Sequence, residues 1–408
     1  MDRSARQLGA IQSRNRPFFF AGMLCDSLSY QIQSVAIGWH VFSLAHRAFD
    51  LGLVGLALFL PTFVFALPAG VYADRHDRRT VVALTALLEA ACIVAFVVAV
   101  LAHVAALPVY LGILAVVGAA RAFGTPATRS LLPSIVPPEG YMRAQATFSS
   151  LRQMTVIGGP ALGGVLVAIS TPIALGVAAA GMVASAAFLR ALTIERPVQR
   201  DPPRLRDALH GLHFIRSRPV ILGAISLDLF AVLFGGATAL LPAFADGIFH
   251  AGPQGLGALR SAPAVGAALV AAAIARRPLQ RHLGPTLLTT VAAFGLAIIA
   301  FGLSRSFVLS LAMLAIAGGT DMVSVVIRNG LVQLSTPDEM RGRVNAVENV
   351  FIGASNELGE FESGMLAGFI GVVPAVVTGG IGTIVVIALW AALFPALRRA
   401  DRFAQTPV

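Results

Sequence analysis

Long apolar runs alternate with short polar loops along almost the whole chain. A helix needs about 20 apolar residues to cross a hydrocarbon core about 30 Å thick, and twelve runs meet that length. The pattern therefore predicts an all-α membrane protein with twelve transmembrane helices, six in each half. The predicted spans are residues 17–44, 51–73, 80–102, 107–128, 144–168, 172–192, 219–243, 254–275, 285–304, 307–328, 345–372 and 374–395.

The second half of the chain repeats features of the first. Arg14-Asn15-Arg16-Pro17 opens one apolar run and Arg216-Ser217-Arg218-Pro219 opens another. In both runs an aspartate follows nine residues after the proline, at Asp26 and at Asp228. Nine helical residues rise roughly 13 Å, which places both acids near the membrane midplane. An intramembrane acid in each of two repeated halves is typical of a secondary transporter.

The repeat also predicts the domain organisation. Residues 1–192 form one six-helix bundle and residues 219–408 form the other, so that the two bundles are pseudo-symmetric. Residues 193–218 form a cytoplasmic linker, in which prolines come first and leucines at helical spacing follow. The second part of this linker is predicted to be a short amphipathic helix on the inner leaflet.

Composition excludes a soluble globule and a nucleic-acid partner. Of the 408 residues, 57% are hydrophobic and only 12% are charged, whereas a soluble domain carries about 25% charged residues. The net charge of +10 comes from arginine alone, because the chain has no lysine. These arginines concentrate in alternate loops and at both ends, so the positive-inside rule places both termini in the cytoplasm.

The sequence predicts neither a cofactor nor an enzymatic site. Cys25 and Cys92 both lie in predicted spans, so no disulfide or metal site is expected. No phosphate-binding Gly-x-x-x-x-Gly-Lys loop is possible without lysine, so the membrane gradient and not ATP is expected to supply energy. The chain also lacks a Gly-x-Ser-x-Gly elbow and a histidine-rich metal cluster.

Polar side chains in the first span indicate a surface lined by water or substrate. Asp26, Tyr30 and Gln33 fall on one helical face. Two interpretations of Asp26 stay open, a proton carrier or substrate contact on the one hand and a structural ion pair on the other. The same two interpretations apply to Asp228.

A charged side chain in the fourth span needs a partner. Arg121 costs roughly 2.5 to 3.5 kcal/mol within a span on insertion scales, so it is expected to face the bundle interior. Asp26 and Glu89 are the expected partners. Structural pairing and a part in proton transfer are both compatible with the sequence.

The eleventh predicted span carries four glutamates, which cannot all face lipid. Asn356, Glu357 and Glu360 are predicted to line the transport path or to bind a cationic group. The expected partners in the same half are Arg260, Asp321 and Arg328.

The loop after the second span carries a family resemblance. Gly70-Val71-Tyr72-Ala73-Asp74-Arg75-His76-Asp77-Arg78-Arg79 resembles the loop between helices two and three of the major facilitator superfamily, Gly-x-Leu-Ala-Asp-Arg-x-Gly-Arg-Arg. It departs at Tyr72 and at Asp77, where the usual glycine permits a tight turn. The resemblance implies a cytoplasmic gating loop that holds the two halves together in the outward-open state. Its residues are Gly70, Asp74, Arg75, Arg78 and Arg79.

Two further segments resemble the same superfamily. Gly159-Pro160-Ala161-Leu162-Gly163-Gly164 looks like the core of the helix-five motif of its antiporters, although Thr155 replaces a glycine of that motif. Small residues at these positions allow helices to approach closely, and small residues pack membrane helices in general as well. Arg121-Ala122-Phe123-Gly124 resembles the intramembrane arginine segment of the superfamily. In that segment the glycine normally comes one residue later. The resemblance of the Gly159–Gly164 segment implies antiport.

Three other segments are similar to the enterobactin exporter-like branch of the superfamily, also called transmembrane secretion effectors. They are residues 122–127, 257–267 and 337–344. The resemblance covers essentially the whole chain and implies a bacterial inner-membrane exporter that works by alternating access. A small organic molecule such as a siderophore or drug is the expected substrate, protons drive its export, and the protein is expected to act as a monomer. An importer or uniporter of the same fold and a non-transporting membrane sensor remain the alternatives.

Overall fold

The fold is all-α, as the sequence predicts. The computed structural model describes residues 3–136, 138–193 and 205–401, and these contain helices and no strand. The α-helices are α1 (Arg3–Ala45), α2 (Ala48–Arg75), α3 (Arg78–Leu101), α4 (Leu107–Ile135), α5 (Pro138–Ile169), α6 (Thr171–Arg190), α7 (Leu205–Ser217), α8 (Pro219–Phe234), α9 (Leu241–Ala243), α10 (Gly252–Arg276), α11 (Leu283–Leu303), α12 (Phe307–Leu334), α13 (Asp338–Ile370), α14 (Val372–Leu393) and α15 (Pro395–Arg398).

Ten helical segments within the described residues are long and apolar enough to cross a membrane. The helices α1 and α13 have 43 and 33 residues and so also exceed the length of a span, but polar and charged side chains interrupt their apolar character. The prediction of a membrane protein with many spans is confirmed. The count of twelve stays a prediction.

The seventh predicted span, residues 219–243, is not one continuous helix. Helix α8 ends at Phe234, and a 3-10 turn (Ala237–Leu240), α9 and a π-helical turn (Phe244–Ile248) follow. Glycine destabilises a helix interior, which accounts for an end at Gly235. A β-carbon at Gly236 would lie 2.5 Å from the carbonyl oxygen of Gly359 on α13, so only glycine fits this crossing. Broken helices within a membrane occur where protein surrounds them.

The chain divides into two compact units. The first consists of Met1–Leu44 and Ala57–Pro202, and the second consists of Ala45–Leu56 and Pro203–Val408. The three-part division predicted from the sequence, at 192 and 218, stays a prediction.

In the first unit α3 packs against α4 and α6. Asn15 also ties α1 to the end of α6, because its side chain donates to the Thr193 carbonyl at 2.7 Å and accepts from the Thr193 N–H at 3.0 Å.

The second unit includes the first turns of α2. These turns lie against α13 at a close crossing, where a β-carbon at Gly52 would be 2.9 Å from the Phe361 carbonyl oxygen. Gly364 faces the same contact from α13. Two small residues therefore allow the two backbones to approach, as is common between membrane helices.

The linker contains the predicted amphipathic helix, which is α7. Its predicted place on the inner leaflet stays a prediction, since Leu212 on its apolar face is exposed while its C-terminal part packs on protein. Ile215 is fully buried in an apolar cluster, and Gly211 lies directly against the backbone of Arg343 on α13. The cause is that α13 begins well before its apolar stretch and offers a surface to α7.

Candidate functional site

An ion pair lies inside the first unit, between α3 and α4. Arg121 Nε donates to Glu89 Oε2 at 3.2 Å, and the two side chains are 21% and 15% exposed. The guanidinium carbon of Arg121 also lies 4.6 Å from the ring centroid of Tyr30 on α1, which is within the range of a cation–π interaction. Glu89 is therefore a direct partner of Arg121, and Tyr30 joins α1 to the same cluster.

Asp26 lies on α1, one helical turn before Tyr30. Its side chain is exposed, and it interacts electrostatically with both Glu89 and Arg121. The cluster thus has two carboxylates and one guanidinium. Of the two carboxylates, that of Asp26 is the accessible one. An accessible acid beside an almost enclosed ion pair can gain or lose a proton while the pair keeps its charges.

Gln33 does not share this environment. It follows Tyr30 on the same helical face, yet it is only 1% exposed and its amide makes no hydrogen bond among the described residues. Periodicity predicts the helical face of Gln33 but not its burial, since Tyr30 on that face is 43% exposed. The accessible part of the predicted surface therefore consists of Asp26 and Tyr30.

Helix α5 packs on another side of α1 through the segment that resembles the antiporter motif. A β-carbon at Gly159 would lie 2.5 Å from the Gln31 side chain, and one at Gly163 would lie 3.2 Å from the Ile32 α-carbon. Pro160 and Gly164 are buried in the same helix. Thr155, at the position of the missing glycine, forms a 2.5 Å hydroxyl–hydroxyl hydrogen bond with Ser27, the neighbour of Asp26. These contacts fix the position of the helix that carries Asp26.

The predicted gating loop is built around a capped helix start. Asp77 is the N-cap of α3 with φ −61°, so its backbone has no need of the glycine usual at this position. Its carboxylate accepts from the backbone N–H of Arg79 at 3.0 Å and from the Arg79 side chain at 2.8 Å. Aspartate is therefore compatible with this turn, because capping of the helix replaces the flexibility of glycine.

The other loop residues have different surroundings. Arg79 donates to the Leu192 carbonyl at 2.6 Å, and Arg78 donates to the Ser134 hydroxyl at 3.2 Å. Arg75 is exposed, and a side chain at Gly70 would meet open space. The side chain of Asp74 lies outside the described part of the structure, so its predicted role stays a prediction.

The Asp77 cap gives a testable dependence on pH. The side-chain hydrogen bond from Arg79 is the main cause that lowers the pKa of Asp77, while partial burial acts in the opposite direction. A lowered pKa means that the stabilising effect is complete above the ordinary pKa of aspartate and is lost as the pH falls through the folded-state value. We expect Asp77→Ala to lower the free energy of unfolding by about 1 kcal/mol at neutral pH, measured by thermal unfolding in detergent.

The matched control for this cap is Asp77→Asn. Asparagine caps a helix as well as aspartate does but carries no charge, so the variant should lose less stability than Asp77→Ala. Its difference from Asp77→Ala should not change with pH in the acidic range. Equal unfolding temperatures for the wild type and Asp77→Ala at neutral pH would show that the cap contributes nothing.

The second unit contains a buried cluster around Arg328 on α12. Arg328 contacts Asp228 on α8 through Nη1 and Oδ1, and its Nε lies 3.7 Å from Glu348 Oε1 on α13. The three residues are 4%, 8% and 6% exposed, in the order Arg328, Asp228, Glu348. Asp228, which the repeat aligns with Asp26, is therefore enclosed in this structure, whereas Asp26 is accessible.

The acids farther along α13 form a separate group. Glu360 interacts electrostatically with Arg260 on α10, as the sequence predicts. Its β-carbon lies 3.3 Å from the position of a β-carbon on Gly55. Asn356 is exposed, and Glu357 is partly exposed. These residues follow Glu348 by eight to twelve positions on α13, apart from the Asp228 cluster.

Asp321 on α12 stands apart from both groups. It is partly exposed and makes no hydrogen bond or ion pair with any described residue. The spacing of charges predicts it only as a partner for the α13 glutamates. The repeat contains a stronger signal, because an offset of 200 aligns Asp321 with Arg121. Arg328 is likewise predicted only as a counter-charge, and the structure makes it and Glu348 the centre of a cluster.

Comparison with known sequences identifies the family of transporters that the chain resembles. A sequence model of the Major Facilitator Superfamily matches residues 19–360. The enterobactin exporter EntS of Citrobacter koseri is 28% identical, and the alignment covers 100% of this chain and 98% of that protein. EntS of Escherichia coli O1:K1 is also 28% identical, with 95% of this chain and 93% of the relative covered.

Comparison with solved structures supports the same fold. A mutant of the nucleoside transporter NupG superposes with a TM-score of 0.75 at 11% identity, covering 93% of this chain and 100% of the other. A bacterial homolog of the human lysosomal transporter Spinster, in an inward-facing and unoccupied conformation, gives a TM-score of 0.74 at 15% identity over 97% and 99% of the two chains. At these identities the likeness concerns the fold alone.

Proposed function

This chain belongs to the major facilitator superfamily, and we propose that it is a proton-driven exporter of a small organic molecule in a bacterial inner membrane. Transporters of this family carry small molecules and are generally not enzymes. The observation that carries the proposal is the accessible carboxylate of Asp26 beside the Glu89–Arg121 ion pair. Intramembrane acids that are accessible on one side at a time are the usual proton carriers of transporters.

The charges of the cluster suggest how the proton is used. With Asp26 ionised, two carboxylates share Arg121, and the excess negative charge favours an open, hydrated cluster. With Asp26 protonated, the cluster is neutral and can be enclosed at much lower cost. Proton uptake on the outer side therefore favours the return of the empty transporter to its inward-facing state, and substrate binding there favours proton release.

We propose a catecholate siderophore, or a drug of similar aromatic character, as the substrate class. The support is twofold. The relatives with 28% identity are named enterobactin exporters, and they match nearly the whole chain. In addition, the accessible face of α1 presents the Tyr30 ring beside Asp26, and aromatic rings of a ligand can stack on such a side chain.

The test uses everted membrane vesicles whose interior has been acidified by respiration. Adding a transported substrate should raise the interior pH, because each export event releases protons to the bath side. A panel of catecholate siderophores, lipophilic drugs and sugars names the substrate class. We expect a response to the catecholates in vesicles with the protein and none in vesicles without it. No pH change with any compound, despite measurable uptake of one, would rule out proton antiport.

A further inference from the structure

The buried cluster in the second unit joins three helices in one place. Asp228, Arg328 and Glu348 come from α8, α12 and α13, and each is less than one-tenth exposed. Asp228 and Glu348 both contact the same guanidinium. Glu348 Oε1 lies 3.7 Å from Arg328 Nε, and it is buried without a hydrogen-bond partner among the described residues.

An apolar cluster seals these charges on the side of the linker helix. Each charged residue has a member of the apolar cluster about one helical turn away toward α7: Ile225 before Asp228, Val332 after Arg328 and Val344 before Glu348. Ile215 of α7 is buried in the same apolar cluster. The three charges are therefore separated from water on that side by a full layer of branched aliphatic side chains.

Few other ionisable groups face the cluster. Helix α14, which packs on α8, carries none. On α12, Asp321 lies two turns from Arg328, and on α7 the side chains of His213 and Arg216 are exposed. On α13, Arg341 and Arg343 lie seven and five residues before Glu348, and Arg260 of α10 interacts with Glu360. Among the described residues Arg328 is the charged group that interacts with Glu348, so two carboxylates and one guanidinium make up the cluster.

When both carboxylates are ionised, the cluster carries one more negative charge than positive charge. An unpaired charge is strongly disfavoured in an interior from which water is excluded. A metal cation would have to approach a site that the guanidinium already occupies, whereas a proton needs no space. One proton makes the cluster neutral, with Asp228 and Arg328 as an ion pair and Glu348 as a neutral acid. Glu348 is the better proton acceptor, since its Oε1 is the carboxylate oxygen that is buried without a hydrogen bond.

We propose that the Asp228–Arg328–Glu348 cluster is a second proton-binding site, in which Glu348 holds the proton. Asp26 and Glu348 would then carry protons in different halves of the repeat, one accessible and one enclosed in the same structure. The use of this proton in transport rests on the proposed antiport, but its binding does not.

The test is infrared difference spectroscopy of the purified protein in lipid, which detects the C=O stretch of a protonated carboxyl group. We expect the wild type at neutral pH to show the band of a neutral acid in an apolar site. Glu348→Gln should remove it. Asp228→Asn should remove it as well, because Arg328 then lacks its aspartate and Glu348 must ionise to pair with it. Glu362→Gln, a glutamate near the other end of α13, should leave the band unchanged.

The variants keep this test decisive. Glutamine has the shape and neutral charge of the proposed protonated glutamate, so Glu348→Gln should unfold at the wild-type temperature. A band that persists at full intensity in a folded Glu348→Gln protein would overturn the proposal. Because the spectrum needs no substrate, failure of the proposed export function would leave this result readable. If both proposals hold, Glu348→Gln should release one proton fewer per substrate molecule than the wild type.

Discussion

Replacing Asp26 with asparagine abolishes proton-coupled export and leaves the folded protein intact. We expect substrate-dependent proton movement in everted vesicles to fall to the level of vesicles without the protein. Exchange of labelled for unlabelled substrate at equal pH on both sides should persist, because exchange needs substrate binding but no change in proton occupancy. The asparagine side chain is nearly isosteric with aspartate, so expression should match that of the wild type.

The physical reason lies in the charge of the α1–α3–α4 cluster. Asparagine fixes the cluster in the neutral form that we assign to the protonated state, with Glu89 and Arg121 still paired at 3.2 Å. The transporter can then change conformation without taking up a proton. Asp246→Asn is the matched control, because Asp246 lies in the π-helical turn outside the cluster and pairs with the exposed His46 at 3.6 Å. Normal coupling in Asp26→Asn would assign the proton to another acid.

Removing the cation of the same cluster, Arg121, should destabilise the folded protein, whereas Asp26→Asn should leave it intact. We expect Arg121→Met to destabilise the protein by about 3 kcal/mol, since it leaves Glu89 enclosed without a partner. This value is at the low end for a broken buried pair because Glu89 keeps 15% exposure. Loss of the contact with the Tyr30 ring adds to the effect. Thermal unfolding in detergent and the yield of monodisperse protein measure the loss.

The double variant Arg121→Met with Glu89→Gln separates charge from packing. Replacing a whole ion pair by neutral side chains is often nearly neutral for stability, so most of the lost stability should return. The single variant Glu89→Gln should be folded, because Arg121 can still pair with Asp26. If the double variant is as unstable as Arg121→Met alone, the guanidinium contributes through its shape and contacts and not through its charge.

Much of the helical architecture follows directly from hydropathy and from the residues that mark loops. Apart from the seventh, each predicted span lies within a single helix to within two residues, because arginine, proline and glycine mark the loops clearly. The predicted span from residue 219 to 243 lies within a segment that is long and apolar enough to cross a membrane, but its helix breaks after Phe234. A glycine pair is common in membrane helices and does not by itself predict a break. Here the break also depends on a crossing with Gly359 of α13, which is distant in sequence.

The sequence predicts the part of the candidate site that is formed by charged residues within apolar runs. It does not predict how deeply a polar side chain is buried. Charges within apolar runs are conspicuous, so the sequence alone connects Asp26, Glu89 and Arg121. Gln33 marks the limit, because helical periodicity gives the face of a side chain but not the point at which that face closes.

The buried cluster of the second unit marks a different limit. Its members lie on three helices separated by loops and whole spans, and the sequence names Arg328 as an expected partner of the eleventh-span glutamates without selecting Glu348 among them. Nothing in the spacing pairs Asp228 with Arg328, because their contact depends on how the helices pack. The cap of α3 is a second example of contacts that the sequence does not predict, here between residues close in the chain. Asp77 departs from the usual glycine of this turn, yet its side chain accepts hydrogen bonds from Arg79 that the loop pattern does not predict.

The most direct test of proton-driven export is accumulation against a gradient. Everted vesicles are given an acidic interior, the membrane potential is held at zero with a potassium ionophore, and labelled enterobactin is followed with time. Antiport predicts an interior concentration above that of the bath, which a protonophore abolishes and which Asp26→Asn never reaches. Equilibration to the bath concentration with or without the pH gradient would indicate a uniporter, and accumulation only with an alkaline interior would indicate a proton-coupled importer. Either result would contradict the proposed function.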